Sequence, residues 1–136
     1  MNEIKAFFAN DRFASAAGVE LVSASPGRAV ARMKIGQQHH NALGIAQGGA
    51  IFTLADFAFA VACNSHGTMA VAANVSITFM KATRSVLLTA EAKEISKNHK
   101  LGTYTVTVTD ETGDIVALFQ GLAYRKKDLL PFRPPA

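Results

Sequence analysis

The chain contains 136 residues, of which 49% are hydrophobic and 18% charged, with 14 lysines and arginines against 10 aspartates and glutamates. This length suits a single domain, 1–136, with one core, and the scattered positive charge lacks the concentrated basic face of a nucleic-acid-binding module. No apolar run approaches the ~20 residues of a membrane span, and the single cysteine excludes an intramolecular disulfide. We therefore expect a cytoplasmic protein that binds neither nucleic acid nor membrane, and the low charged fraction favours a homo-oligomer.

The N-terminal half contains two helical patterns on either side of a pair of strands. Apolar residues at helical spacing predict a short N-terminal helix within the segment 1–17, at about 3–16. Strand patterns follow at 19–25 and 28–36. Alanine, leucine and phenylalanine then dominate 48–63, where no proline intervenes, and this composition predicts one long central helix.

The C-terminal half is strand-like. Alternating side chains and turn signals predict four strands, at about 70–80, 86–96, 102–110 and 115–125. Because short turns join these strands, the sheet should be largely antiparallel. The tail 127–136 contains three prolines, and we expect it to be loosely ordered. The predicted fold class is α+β, with the sheet packed around the central helix.

Asp56 is the one acid in the central helix, whose other residues are apolar nearly all round. Such a helix is expected to be buried without a solvated face. A buried carboxylate without a partner is costly or shifts its pKa, and Thr53 is its only polar neighbour on that face of the helix. Asp56 is therefore either a structural acid that binds another segment or a functional group.

The segment before and at the start of this helix carries further polar candidates. Gly48 and Gly49 begin the helix, so free backbone amides lie at its positive end, where they can stabilise an oxyanion; a tight loop-to-helix junction is the alternative. His39 and His40 precede them, and each is open as a base, a ligand or a surface residue. No second His, Cys or acid stands at ligand spacing, so no metal is expected.

The run His40-Asn41, Gly44 and QGGAIFTLADFAFAVACNS (47–65) strongly resembles the hotdog-fold acyl-CoA thioesterases of the phenylacetic-acid-degradation (PaaI-like) type. The resemblance extends over most of the chain and is most specific in 40–65. It implies a hotdog fold, in which a curved antiparallel sheet of five to six strands wraps one long helix. It also implies a homodimer, or a dimer of dimers, with sites at the subunit interface.

The same resemblance assigns catalytic roles. Asp56 would attack the thioester carbonyl or activate a water, and the backbone N–H of Gly48 would polarise the carbonyl oxygen. Asn41 would orient the water or substrate, and it and Gly48 would come from one subunit while Asp56 comes from the other. Many family members have histidine where this chain has Gln47. The resemblance implies no cofactor beyond the coenzyme A of the substrate.

Eight further positions are predicted to contact the substrate. Three flank the start of the helix, Gly49, Gln47 and His40. Two polar residues, Asn74 and Ser76, follow the helix on a strand, and Phe52 supplies an apolar slot. Two cations, Lys81 and Arg84, would meet the phosphates of coenzyme A.

Two other functions remain open on the residues alone. A hydratase or dehydratase of acyl thioesters would pair a histidine with an acid, and His40 precedes Asp56 by sixteen residues. Against this function, the position five residues after Asp56 is Val61, not histidine. A non-catalytic acyl-CoA-binding module is the third possibility, and the presence of Asp56 argues against it.

Overall fold

Six antiparallel strands form one sheet in the order β1-β2-β4-β5-β6-β3, with one long helix and two short N-terminal helices. The computed structural model describes all residues, 1–136. The elements are α1 (Asn2–Phe8), α2 (Arg12–Ala16), β1 (Val19–Ser25), β2 (Arg28–Lys34), a 3-10 turn (Gln37–His39), α3 (Gly48–Asn64), β3 (Thr68–Phe79), β4 (Leu87–Lys97), β5 (Leu101–Thr109) and β6 (Ile115–Leu129). The predicted α+β class and the antiparallel sheet around one long helix are confirmed.

The core lies between α3 and the inner face of the sheet. Helix α3 contacts all six strands, which requires the sheet to curve around it. Small side chains allow this close approach: Ala31 and Ala90 pair across β2 and β4 and have no exposed surface. Gly121 on β6 does the same, since a Cβ there would lie 2.6 Å from the ring of Phe59. None of the helices combines the length and the hydropathy needed to cross a membrane.

The N-terminal segment forms two helices where the sequence pattern predicted one over 3–16. The break comes at Asp11, whose side chain accepts a hydrogen bond of 3.0 Å from the backbone N–H of Ala14 and so caps α2. Aspartate is a good N-cap because its carboxylate satisfies an amide that the helix itself leaves free. The apolar spacing of 3–16 is compatible with either arrangement, and the cap determines which one forms.

The C-terminal tail is packed, and the expectation of a loosely ordered tail at 127–136 is wrong. Strand β6 continues to Leu129, and Phe132 is buried with its ring 5.3 Å from that of Phe7. The backbone N–H of Arg133 also donates to the Glu3 carboxylate at 3.3 Å. The prolines end the strand, but an aromatic contact with α1 holds the chain beyond it.

Strand β3 lies at one edge of the sheet and pairs only with β6. Its twelve residues, TMAVAANVSITF, include no charged side chain, and most of the strand is exposed. Proteins normally protect such an edge with charges, prolines or bulges because its free N–H and C=O groups can pair with another strand. Register shifts interrupt the first half of β3, between Thr68 and Ala70 and between Ala72 and Asn74, whereas 74–79 pair regularly with β6. The outer edge of this second half is therefore a surface suited to strand pairing.

Candidate active site

One stripe of helix α3 faces away from the sheet. Phe52, Thr53, Asp56 and Ala60 are only partly buried, whereas most other residues of the helix are buried. The prediction of a helix without a solvated face is wrong here. The sheet covers one side of α3, and the N-terminal helices cover only part of the other.

Asp56 lies in a pocket with Asp11 and Phe13 of the α2 region and with Phe52, Thr53 and Phe57 of its own helix. No donor of the chain hydrogen-bonds to its carboxylate, and the nearby Thr53 hydroxyl donates to the Gly49 carbonyl instead, at 2.8 Å. Burial raises the pKa of Asp56 above its ordinary value, and the negative charge of Asp11 raises it further. An unpaired acid of this kind can accept a proton from water or attack an electrophile.

The start of α3 leaves two backbone amides free. Gln47 is the N-cap, and its side-chain oxygen accepts from the N–H of Ala50 at 3.2 Å. The N–H groups of Gly48 and Gly49 donate to no acceptor within the chain. These two amides, at the positive end of the helix, can bind a carbonyl oxygen. Gln47 is predicted to contact the substrate, but its side-chain oxygen is engaged in capping the helix.

The loop before α3 contains two histidines with different environments. His39 is buried: its Nδ1 accepts from the N–H of Gly36 at 2.9 Å, and its Nε2 lies 2.6 Å from the Ala17 carbonyl oxygen. His39 therefore fastens the loop to the end of α2. His40 is exposed and lines a cavity with Gly49. Of these two adjacent histidines, His39 is therefore structural and His40 faces solvent.

Asn41 organises its own loop. Its side-chain oxygen accepts hydrogen bonds from the N–H groups of Leu43, at 2.9 Å, and Ile45, at 3.3 Å. The side-chain NH₂ of Asn41 has no partner within the chain and can donate to a ligand. The side-chain oxygen of Asn41 therefore holds the loop, and its NH₂ group is available to a ligand.

Within one chain, Asp56 and the glycine amides do not meet in one pocket. Asp56 follows Gly49 by seven positions along α3, and a rise of about 1.5 Å per residue places them roughly 10 Å apart. Gly48 lines a pocket with Phe79 and Lys81, and Gly49 lines a different one with His40. A single carbonyl group cannot contact Asp56 and these amides of the same chain together.

The two predicted cations differ in their partners. Lys81 Nζ donates to Asp110 at 2.8 Å and to Asp114 at 2.9 Å, and these hydrogen bonds raise its pKa. Its charge is thus neutralised by two acids within the chain, which weakens its case as a phosphate ligand. Arg84 is exposed and forms no ion pair, so it is free to bind an anion.

The predicted strand residues lie away from Asp56. Asn74 and Ser76 are exposed on β3 and line a shallow cavity on the sheet with Gln120 of β6. Phe52 does line the Asp56 pocket, and its ring packs 5.6 Å from that of Phe119. In a single chain the structure therefore brings Phe52, but neither strand residue, to the acid.

Two residues of the site were missed by sequence reasoning, Asp11 and Phe13. Asp11 carried a signal, since aspartate after a helical stretch is a typical N-cap. Phe13 carried none, because it fitted the apolar face of one predicted helix.

Comparison with known proteins identifies the family. Residues 43–117, more than half of the chain, match the family model described as the thioesterase superfamily. The chain belongs to this superfamily. The acyl-coenzyme A thioesterase PaaI of Escherichia coli is 36% identical over 121 residues, which cover 88% of this chain and 86% of that protein. Human acyl-coenzyme A thioesterase 13 is 32% identical over 105 residues, which cover 73% of this chain and 74% of that protein.

A solved structure supports the same assignment. The PaaI protein from the phenylacetic acid degradation operon of Escherichia coli superimposes with a TM-score of 0.87 and 35% sequence identity, covering 91% of each chain. The predicted resemblance to PaaI-like hotdog thioesterases is therefore confirmed, and the fold with it.

Proposed function

We propose that this member of the thioesterase superfamily hydrolyses acyl-CoA thioesters to a free acid and coenzyme A. The observation that carries the proposal is Asp56, a partly buried carboxylate with a raised pKa and no hydrogen-bond partner in the chain. Stability alone does not account for such a group, because partial burial and the nearby Asp11 disfavour its charged form and no donor of the chain compensates. Relatives named as acyl-CoA thioesterases supply the substrate class.

In the proposed reaction, Asp56 accepts a proton from a water molecule that attacks the thioester carbonyl, or it attacks the carbonyl directly. Direct attack expels the thiolate and leaves an acyl anhydride on Asp56, which a water molecule then hydrolyses to the free acid. The negative charge that develops on the carbonyl oxygen is stabilised by the free N–H groups of Gly48 and Gly49. The free NH₂ of Asn41 orients the water or the substrate. The thiolate of coenzyme A leaves and is protonated, and the reaction needs no metal or further cofactor.

We infer that each site combines two subunits of a homodimer. Asp56 and the glycine amides lie roughly 10 Å apart along one helix. One chain therefore cannot bind the carbonyl oxygen through these amides and also place Asp56 beside the carbonyl carbon. The uncharged, exposed edge of β3 offers a surface on which a second copy can pair. Gly48 lines a pocket with Phe79, at the end of β3, so a second copy that pairs at this edge would lie beside the Gly48 amide.

Free thiol release from a panel of acyl-CoAs tests the reaction. The wild-type protein should release coenzyme A, and Asp56→Ala and Asp56→Asn should both be nearly inactive while remaining folded by circular dichroism. Asp128→Asn, at an exposed acid without an ion pair, is the matched control and should retain full activity. Unchanged turnover in both Asp56 variants would refute the assignment.

Mixing two inactive variants tests the shared site. Asn41→Asp retains the oxygen that holds the loop but loses the NH₂ donor. In a heterodimer of Asn41→Asp with Asp56→Asn, one of the two sites regains both native residues if the site spans subunits. Such heterodimers should show about half the wild-type activity. If both residues act within one chain, every site carries a defect and mixing restores nothing.

A hydratase would need a histidine beside Asp56. Within one chain no histidine lines the pocket of Asp56, and His39 is committed to the Gly36 amide and the Ala17 carbonyl, so of the two loop histidines only the exposed His40 of a second subunit could take this role. Enoyl-CoA hydration without thiol release would nonetheless replace hydrolysis as the proposed reaction, and saturable coenzyme A binding without turnover would indicate a binding module.

A further inference from the structure

Phe13 occupies an unusual position on the surface. Its side chain is 76% exposed, whereas the adjacent Ala14 is 2% exposed. A single exposed phenylalanine is ordinary in itself. Phe13, however, lines both the pocket that contains Asp56 and the neighbouring cavity at the start of α3, and Thr53 is the only other residue common to the two.

The short helix that carries Phe13 is fastened at both ends. Asp11 caps its first turn through the 3.0 Å hydrogen bond from the Ala14 N–H. At its other end, the Ala17 carbonyl oxygen lies 2.6 Å from His39 Nε2. Since His39 Nδ1 accepts from the Gly36 N–H, Nε2 carries the proton and donates. These bonds hold the backbone of α2 in place and so keep the Cα of Phe13 at the edge of both cavities.

The rings around Asp56 form an apolar surface with Phe13 at its open side. Phe52 and Phe57 line the same pocket, and Phe57 is 5% exposed. Because Asp56 acts at the thioester carbonyl in the proposed reaction, the acyl carbons that follow the carbonyl must pass close to these rings. Phe13 has the exposed area to contact them.

We propose that Phe13 contacts the acyl group of the substrate and sets the preference of the enzyme for acyl size. This inference rests on the proposed thioester hydrolysis. An acetyl group is too short to bury area against the ring, whereas a medium-chain or aromatic acyl group removes apolar surface from water on both sides of the contact. A contact of this size discriminates between substrates by about tenfold in kcat/KM.

The test compares kcat/KM for acetyl-CoA, hexanoyl-CoA and benzoyl-CoA in wild type, Phe13→Ala and Phe13→Leu. Phe13→Ala should lose about tenfold on hexanoyl-CoA and benzoyl-CoA but stay within about twofold on acetyl-CoA. Phe13→Leu keeps an apolar side chain of similar reach, so it should retain more activity on hexanoyl-CoA than on benzoyl-CoA. Leu129→Ala, at a side chain that is 83% exposed at the end of β6, is the control and should match wild type on all three.

The outcomes separate this inference from the function on which it rests. If the wild type releases no thiol from any acyl-CoA, the proposed function fails. If the wild type is active but Phe13→Ala changes all three substrates equally, or none, the role of Phe13 alone is refuted. A uniform loss of activity together with a smaller species in size-exclusion chromatography would identify Phe13 as a subunit contact instead.

Discussion

Two partly buried carboxylates of this protein have opposite environments. Glu94 on β4 accepts a hydrogen bond of 2.7 Å from the Tyr104 hydroxyl, and His66 Nε2 lies 2.8 Å from the same oxygen. Burial raises the pKa of Glu94, but the hydrogen bonds from Tyr104 and His66 outweigh it and the net pKa is lowered. Asp56 has no such donors, and burial together with Asp11 raises its pKa.

The difference shows how the fold treats an acid that it uses for structure. Glu94 is surrounded by its own donors, and its backbone N–H donates to the Gly27 carbonyl at 2.8 Å. Its carboxylate is stabilised in the ionised form and has little capacity left for chemistry. Asp56 has no donor within the chain, so its charged form gains no such stabilisation and its lone pairs remain available to a ligand.

The largest expected effect is on activity. Asp56→Asn should lower kcat/KM by about 100- to 10,000-fold, the usual contribution of a general base. Glu94→Gln should stay within about threefold of wild type because its carboxylate takes no part in the reaction. Steady-state thiol release measures both. Equal losses in the two variants would show that the contrast between the acids is not functional.

For stability the order of the two acids should be reversed, and the loss of Glu94 should have the larger effect. Glu94→Ala leaves the buried Tyr104 hydroxyl without an acceptor and should lower the free energy of unfolding by about 2 kcal/mol. Urea denaturation monitored by circular dichroism gives this value. The matched variant Tyr104→Phe removes the same hydrogen bond from the other side and should cost less, because it leaves no hydroxyl unsatisfied. A larger loss in Tyr104→Phe would contradict this account of the cluster.

The pH dependence of stability should also separate the two acids. Because the folded pKa of Asp56 is raised, the folded state binds its proton more tightly, and the carboxylate destabilises the fold as pH rises through that pKa. Asp56→Asn should therefore stabilise the protein at pH 7, and the gain should vanish at pH 3. For Glu94, with its lowered pKa, the stabilisation exists above its ordinary pKa and is lost as pH falls through the folded pKa. Thermal melts of Asp56→Asn and Glu94→Gln across this range check both directions.

The smallest expected effect concerns Asp11. Asp11→Asn removes the negative charge beside Asp56 while asparagine still caps α2. The pKa of Asp56 should fall, so the acid limb of the kcat/KM profile should move to lower pH by less than about one unit. Asp128→Asn serves as the charge-matched control and should leave the profile in place. A shift to higher pH would mean that Asp11 acts through the structure of α2.

Much of the fold followed from the sequence because its patterns are local. The period-two alternation of 102–110 and the proline-free apolar run of 48–63 determine which segments become strands and which becomes the central helix. The N-terminal segment and the tail were predicted less well. The capping hydrogen bond at Asp11 and the contact of Phe132 with Phe7 depend on where distant groups meet.

The candidate site likewise has features that the sequence predicts and features that depend on the tertiary structure. By itself the sequence determined that Asp56 is an isolated acid in an apolar helix and that glycines begin this helix, since both are facts of composition and spacing. Only the tertiary structure decided that Asp56 faces α2 on the side not covered by the sheet, that His39 is a structural clamp, and that Phe13 lies beside the acid. The physical reason is that periodicity fixes which side of a helix a residue occupies, whereas packing decides what lies against that side.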